Sequence, residues 1–275
     1  MPDHQAASTN LQFLKLGGSL ITDKTRPRSL RSDVLARLAA EIAAVWGQDP
    51  TQRLVLGHGA GSFGHVPAKK YDTRQGVHSS SQWRGFVEVW QEAAALDHLV
   101  VEALHGTGLP AIALHPSGSV LAKDGKVATW DLAPLRSALQ AGLLPVIHGD
   151  VIFDITRGGT ILSTEDLFDY LAHQLKPQRI LLAGLETGVW EDYPDCTRLI
   201  PEINPSNLNT IEPALGESAA VDVTGGMASK VHEMLALAED IPGLEVLIFS
   251  GEIPGLITLT LRGDRAGTLI RGSVE

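Results

Sequence analysis

The chain has a single cysteine, Cys196, so no disulfide can close within it and a reducing compartment is expected. No apolar run approaches the roughly 18 residues that a membrane span requires. The opening residues, MPDHQAASTN, lack the basic-then-apolar order of a secretion signal. Nor is there a basic excess. The formal net charge is −10, which argues against nucleic acid as a partner. Internal repeats and low-complexity tracts are missing too. These absences predict a soluble, cytoplasmic protein. They leave small anions open as ligands, because a local nest of backbone N–H groups outweighs a distant acidic surface.

What is present suffices for a packed core: 275 residues, 44% of them hydrophobic. LQFLKL (11–16), RLVLGH (53–58), PAIAL (110–114), QRILLAG (178–184) and LEVLIFSG (244–251) read as strands. Residues 32–46 read as a helix capped by Ser32 or Asp33, with Leu35, Leu38, Ala39, Ile42 and Trp46 on one face. A long helix is expected over about 82–105, and others over 131–142 (cap Asp131), 163–175 (capping box Ser163 to Asp166) and 224–240. Residues 143–154 read as a strand, a turn and a short return strand. The stretch 255–263 fits either a strand or a helix, and 267–270 reads as a final edge strand. The polar stretch 191–220 reads as an excursion. Strands and helices alternate, which predicts a mostly parallel sheet covered on both faces.

Glycine-rich turns follow the predicted strands at Gly17-Gly18-Ser19, Gly57 to Gly64, His148-Gly149-Asp150, Ala183-Gly184 and Thr224-Gly225-Gly226. Ligands of parallel sheets bind beyond the carboxyl ends of the strands. Five such turns on one edge suggest a long anionic ligand, or two anions meeting head to head. The segment GAGSFG contains G-x-G-x-x-G, but no acid stands at the end of a following strand, about 20 residues on, as a dinucleotide fold requires. A P-loop fails as well, since His65 follows Gly64 where Lys-Ser/Thr belongs. Lysines occur in other turns instead: Lys15, Lys24 and Lys230. Three ammonium groups on one edge suit a transferring phosphoryl group.

The segments LKLGGSLITDK, HGAGSFGH, HGDV and DVTGGMASK, in this order and spacing, resemble the amino acid kinase superfamily and, within it, the isopentenyl phosphate kinases. The resemblance spans about residues 11–272. Its most specific piece is GAGSFGH; K-x-G-G-S alone marks only the superfamily. The resemblance implies an α/β fold, a three-layer αβα sandwich with an open, mostly parallel central sheet. It implies a single domain over 1–275, with a phosphoryl-acceptor lobe over about 11–176 and a nucleotide lobe over about 177–275. The implied reaction is phosphorylation of isopentenyl phosphate by ATP with Mg²⁺, giving isopentenyl diphosphate for isoprenoid biosynthesis by an alternative mevalonate route. A homodimer is implied as well.

On this resemblance Lys15, His65 and Lys230 are the catalytic candidates. Gly59, Ala60, Gly61, Gly64, His65, Gly149 and Asp150 are candidates for the acceptor phosphate. Phe86 and Trp90 are candidates for its five-carbon tail. Lys15, Gly17, Gly18, Ser19, Lys24, Gly184, Gly188, Gly225, Gly226 and Lys230 are candidates for ATP. No residues are singled out as metal ligands; His58 reads as a strand-end histidine and His148 as a turn residue. Histidine suits this chemistry because a phosphate monoester, with a second pKa near 6, needs no base. It needs a donor, which His65 supplies, with the N–H groups of Gly59, Ala60 and Gly61 completing a cradle.

Two segments depart from the family pattern. Ser-Gly-Asp is replaced by Ser163-Thr164-Glu165-Asp166, so either Glu165 or Asp166 is available to organise the lysines. The nucleotide pattern Thr-Asp-x-Asp-Gly-Val-Tyr is replaced by Gly184-Leu185-Glu186-Thr187-Gly188-Val189-Trp190. The alternatives are a kinase for another small phosphate or phosphonate, such as fosfomycin, or a non-catalytic nucleotide or anion binder on the same fold.

Overall fold

The computed structural model describes residues 10–49, 51–217 and 226–273. The chain begins with β1 (Asn10–Leu16), a short α1 (Gly18–Ile21), α2 (Ser32–Ala43) and β2 (Gln52–His58). Then come α3 (Gly61–Tyr71), the long α4 (Ser80–Gly106) and β3 (Ala111–Ala113). A hairpin of β4 (Val120–Lys123) and β5 (Lys126–Trp130) leads through α5 (Ala133–Gln140) to β6 (Leu144–His148), β7 (Asp150–Asp154) and β8 (Gly158–Leu162). The second half runs α6 (Thr164–Leu175), β9 (Arg179–Gly184), β10 (Val189–Trp190), β11 (Leu199–Ile200), β12 (Glu202–Ile203) and α7 (Leu208–Glu217). It ends with α8 (Gly226–Asp240), β13 (Glu245–Ser250), α9 (Leu256–Leu261) and β14 (Thr268–Arg271).

Eight strands form one sheet in the order β12-β14-β13-β9-β1-β2-β6-β3. Every pair in it is parallel except β13 with β14. The two-residue period of β1 shows why both faces are covered. Leu11 and Phe13 join a core with Leu167, Phe168 and Leu171 of α6 and Val231, Met234 and Leu235 of α8. Leu14 and Leu16 point the other way, into a core with Leu38 of α2, Leu96 and Val100 of α4 and Ile257 of α9. This is the three-layer αβα sandwich, and β1 lies at its centre, between β2 and β9. Lys15 continues the phase of Leu11 and Phe13, so it emerges on the side of α6 and α8.

The smaller sheet, β5-β4-β7-β8, corrects the expected return strand. After Gly149 the chain leaves the main sheet. β7 pairs in parallel with β4 and antiparallel with β8, never with β6. The ambiguous stretch 255–263 is helical, with Thr260 Oγ1 donating back to Leu256 O. The expected edge strand, β14, is internal, because β12 from the 191–220 excursion covers its outer side. Arg31, rather than Ser32 or Asp33, is the N-cap of α2, and Leu132, rather than Asp131, that of α5. Among the described residues no helix is long and apolar enough to cross a membrane.

Candidate active site

Strand register brings the glycine turns together. Leu16 at the end of β1 pairs with His58 of β2 and Ala183 of β9, and His58 pairs with His148 of β6. The turns that follow therefore open at one level and line a cleft of about 500 Å³. The first two lie backbone on backbone. A Cβ placed on Gly18 would stand 2.5 Å from Gly61 N, and one on Gly59 would stand 2.9 Å from Gly18 N. Gly61 also has φ +50°, which favours glycine there.

Lys15, Gly17, Gly18, Ser19, Lys24, Gly184, Gly188, Gly226 and Lys230 all line this cleft, as do Gly59, Ala60, Gly61, Gly64, His65 and Gly149. Gly225 lies outside the described residues. At the cleft's centre the Lys15 ammonium donates to Glu165 Oε1, and Lys230 Nζ lies 3.9 Å from the same oxygen. Burial by itself would raise the Glu165 carboxyl, but Lys15 and Lys230 hold it below its ordinary value. Glu165 is thus an ionised spacer between two cations.

The helix start explains why Glu165 takes this place rather than Asp166. Ser163 and Asp166 form the reciprocal capping box of α6, Asp166 Oδ2 accepting from Ser163 N at 2.7 Å and Ser163 Oγ accepting from Asp166 N at 3.0 Å. Arg74 adds an ion pair to Asp166 at 3.2 Å. The approach of α6 to the sheet depends on Gly57, where a Cβ would meet Thr164 Cγ2 at 2.5 Å and Phe168 at 2.7 Å. Thr164 Oγ1 then donates to His58 O, pinning the helix start to the end of β2.

The turn from Gly57 to Gly64 runs into the N-terminus of a helix that the sequence reading did not include: α3 starts at Gly61 behind Ala60 and contains Pro67. Its first turn carries no acidic residue, so its positive dipole end meets the cleft uncompensated by a carboxylate. The expected cradle is narrower than the sequence suggested. Gly59 spends its N–H on Leu16 O, which holds the turn to β1, and Gly149 spends its N–H on His58 O.

Three acceptor-side candidates do not line the cleft. Phe86 is buried in a small core with Val77, Val89 and Val151 and packs on the rings of Trp83 and Phe153. Trp90 is largely exposed on α4. Asp150 is fully buried and accepts from Ser117 N and Val151 N. The apolar wall is formed instead by Ala68, Val89, Ile161 and Leu162. Val89 lies one helical turn from Phe86, so the sequence signal was on the right face and one turn short. Arg74 also lines the cleft and was missed, for it stands in a turn with no periodicity to mark it.

On the other side Leu185, Glu186, Trp190 and Tyr193 line the cleft. Trp190 Nε1 donates to Glu186 Oε2 at 3.2 Å, so the altered loop closes on itself through a polar tie.

Comparison with known proteins agrees with this geometry. Residues 10–250 match the model of the amino acid kinase family. An isopentenyl phosphate kinase of Haloferax volcanii is 36% identical over 266 residues, covering 96% of this chain and 99% of its own. That of Methanocaldococcus jannaschii is 34% identical over 228 residues, covering 80% and 85%. A solved isopentenyl phosphate kinase structure superposes with a TM-score of 0.79 at 30% identity, covering 94% of this chain and 99% of its own.

Proposed function

The chain belongs to the amino acid kinase family, and on that premise we propose that it transfers the terminal phosphoryl group of ATP to isopentenyl phosphate, giving isopentenyl diphosphate and ADP. The observation that carries this reading is the Lys15–Glu165–Lys230 row, set where the two glycine turns meet.

Phosphoryl transfer asks the protein mainly for positioning and charge neutralisation. Lys15 and Lys230 face the transferring group from β1 and α8 and offset the charge that gathers on its oxygens. Glu165 keeps the two ammonium groups apart and aimed. The acceptor oxygen is already ionised near neutral pH, so no general base is required. His65, with the N–H groups of Ala60 and Gly61 and the dipole of α3, holds the acceptor phosphate. Arg74 adds a guanidinium on that side. The five-carbon tail lies against Ala68, Val89, Ile161 and Leu162, and this apolar wall favours a prenyl phosphate over a small polar phosphonate. Lys24 and the glycines at 17–18, 184, 188 and 226 approach the nucleotide phosphates. The boundary near residue 176 separates an acceptor lobe from a nucleotide lobe, although one sheet runs through both.

Mg²⁺ belongs to the same proposal as the counter-ion of the nucleotide phosphates, the chemistry it would supply being neutralisation of their charge. A cytoplasmic homodimer is part of the same proposal, and sedimentation checks the dimer.

The test is ADP release from Mg²⁺-ATP with isopentenyl phosphate, dimethylallyl phosphate, longer prenyl phosphates and fosfomycin. Turnover on the five-carbon phosphates is expected. Turnover on fosfomycin alone would reassign the acceptor, and ATP binding without turnover on any of them would make the chain a nucleotide binder.

A further inference from the structure

Beneath the acceptor turn, and outside the cleft, lies a buried cluster of His58, Asp97, His148 and Asp150, with His115 at its mouth. Four different segments supply it: the end of β2, the middle of α4, the end of β6 with the start of β7, and the turn after β3. We propose that His58, Asp97 and His148 are the protein ligands of one divalent transition-metal ion of the Zn²⁺ class.

Ligand spacing is the first argument. His58 Nε2 shares a hydrogen bond with Asp97 Oδ1 at 3.0 Å, which a bound cation would replace, and His148 Nδ1 lies 3.5 Å from the same oxygen. Ligand atoms bound to tetrahedral Zn²⁺ at its usual bond lengths stand about 3.3 Å apart. All three donor atoms lie within 4.8 Å of one another.

The second argument is an unmet need. His148 is 1% exposed, and neither of its ring nitrogens makes a well-formed hydrogen bond: Asp97 Oδ1 stands 3.5 Å from Nδ1 and Asp150 Oδ2 stands 3.8 Å from Nε2. A buried imidazole left so is costly, and one bond to a cation removes the cost at Nδ1. Two buried carboxyl groups, Asp97 and Asp150, add to it. Among the described residues neither meets a lysine or an arginine within 4.0 Å. A dication balances two carboxylates and leaves the imidazoles neutral, as ligation requires.

The third argument is the outer shell. Histidines that bind metals direct their other nitrogen at a carboxylate or a backbone carbonyl. His58 Nδ1 faces Gly59 O at 3.2 Å, and His148 Nε2 faces Asp150 Oδ2 at 3.8 Å. His115 Nε2 stands 3.7 Å from Asp97 Oδ2, on the solvent side, where the ion enters. Three protein ligands leave a fourth position for water or His115. The ion would tie together two strand ends, since His58 and His148 directly precede Gly59 and Gly149.

The test needs no nucleotide and no turnover. The purified full-length chain is loaded with Zn²⁺, desalted and analysed for metal, and a parallel sample is loaded with Co²⁺. We expect close to one Zn²⁺ per chain and the strong visible absorption of four-coordinate Co²⁺. Asp97→Asn and His148→Asn should each lower Zn²⁺ affinity by more than the roughly 10- to 100-fold that loss of an outer-shell partner costs, whereas His98→Asn, at the exposed neighbour of Asp97, should not. The Co²⁺ spectrum of the unaltered chain decides the matter even if a variant fails to fold. Substoichiometric metal, a weak six-coordinate Co²⁺ band, or equal loading of Asp97→Asn would each overturn the site. The cluster would then be a set of imidazolium–carboxylate pairs.

Discussion

Lys15 on β1 and Glu165 on the first turn of α6 share a hydrogen bond across the cleft, although 150 residues separate them. Lys230 comes to the same carboxylate from α8. If the pair exists to aim two cations, Glu165→Gln should keep the fold and lose turnover. The amide keeps the shape but offers no charge to hold either ammonium. A fall in kcat of about 10- to 100-fold is expected, with less change in KM for ATP. Lys15→Met should cost about 10³-fold, in the range seen when a group that stabilises developing charge is removed. Steady-state kinetics on isopentenyl phosphate check both. An unchanged kcat in Glu165→Gln would remove the carboxylate from the mechanism.

The same pair sets an acid limb on stability. The Glu165 carboxyl lies below its unfolded value of 4.5 in the folded state. Its contribution is therefore complete above pH 4.5 and is lost as pH falls through the folded value. Urea unfolding from pH 7 down to 3 should show stability falling more steeply in the unaltered chain than in Glu165→Gln. Parallel acid limbs would contradict the linkage.

The parts of this site that were legible in the sequence were those whose chemistry is written in one segment. Lys15 between Leu14 and Leu16 is anomalous in a buried strand, and the glycine turns announce close backbone approach. The sequence leaves the choice between Glu165 and Asp166 open, although the capping box that consumes Asp166 is itself legible; what the sequence hides is Arg74, which comes from a distant turn to pair with Asp166. Helix α3 was hidden because Pro67 mimics a break, and β14 looked like an edge because its cover, β12, consists of two residues in a polar stretch. The cluster around His148 was invisible for another reason. Each of its residues has an ordinary local role, and only the packing of α4 beneath the turns brings Asp97 to the two histidines.

Backbone contact between the glycine turns predicts the effect of one methyl group. In Gly18→Ala the new Cβ would meet Gly61 N at 2.5 Å and Gly61 Cα at 2.7 Å, both backbone atoms that cannot swing aside. The turns must separate, at about 1–3 kcal/mol. If the two turns serve different substrates, as proposed, KM should rise for ATP and for isopentenyl phosphate together, with a lower thermal midpoint. A rise in one KM alone would mean that the turns move independently.

The apolar wall gives a comparison between neighbours on one helix. Val89 lines the cleft, whereas Trp90 is 43% exposed and does not. Val89→Phe should raise KM for isopentenyl phosphate by about tenfold, the scale expected for a misfit in an apolar pocket, and leave KM for ATP in place. Trp90→Ala should alter neither by more than about twofold. Phe86→Ala should act through folding, at about 3–5 kcal/mol for a buried aromatic, and show as a lowered melting temperature. The reverse pattern, with Trp90 governing the acceptor, would move the tail to the other face of α4.

His65 supplies the most direct check on the acceptor loop. It stands on the first turns of α3 and lines the cleft beside Gly64. A donor to an ionised phosphate is worth about 1.5–3 kcal/mol, so His65→Ala should lower kcat/KM for isopentenyl phosphate by about 10- to 100-fold. A donor role and a base role separate in the conservative variant. His65→Gln keeps an N–H donor without a titrating group and should recover part of the loss. It should also keep whatever neutral-range pH profile the unaltered chain shows. No recovery, together with a vanished basic-side plateau, would show that His65 takes a proton instead of lending one, and the argument that a phosphate acceptor needs no base would fail with it.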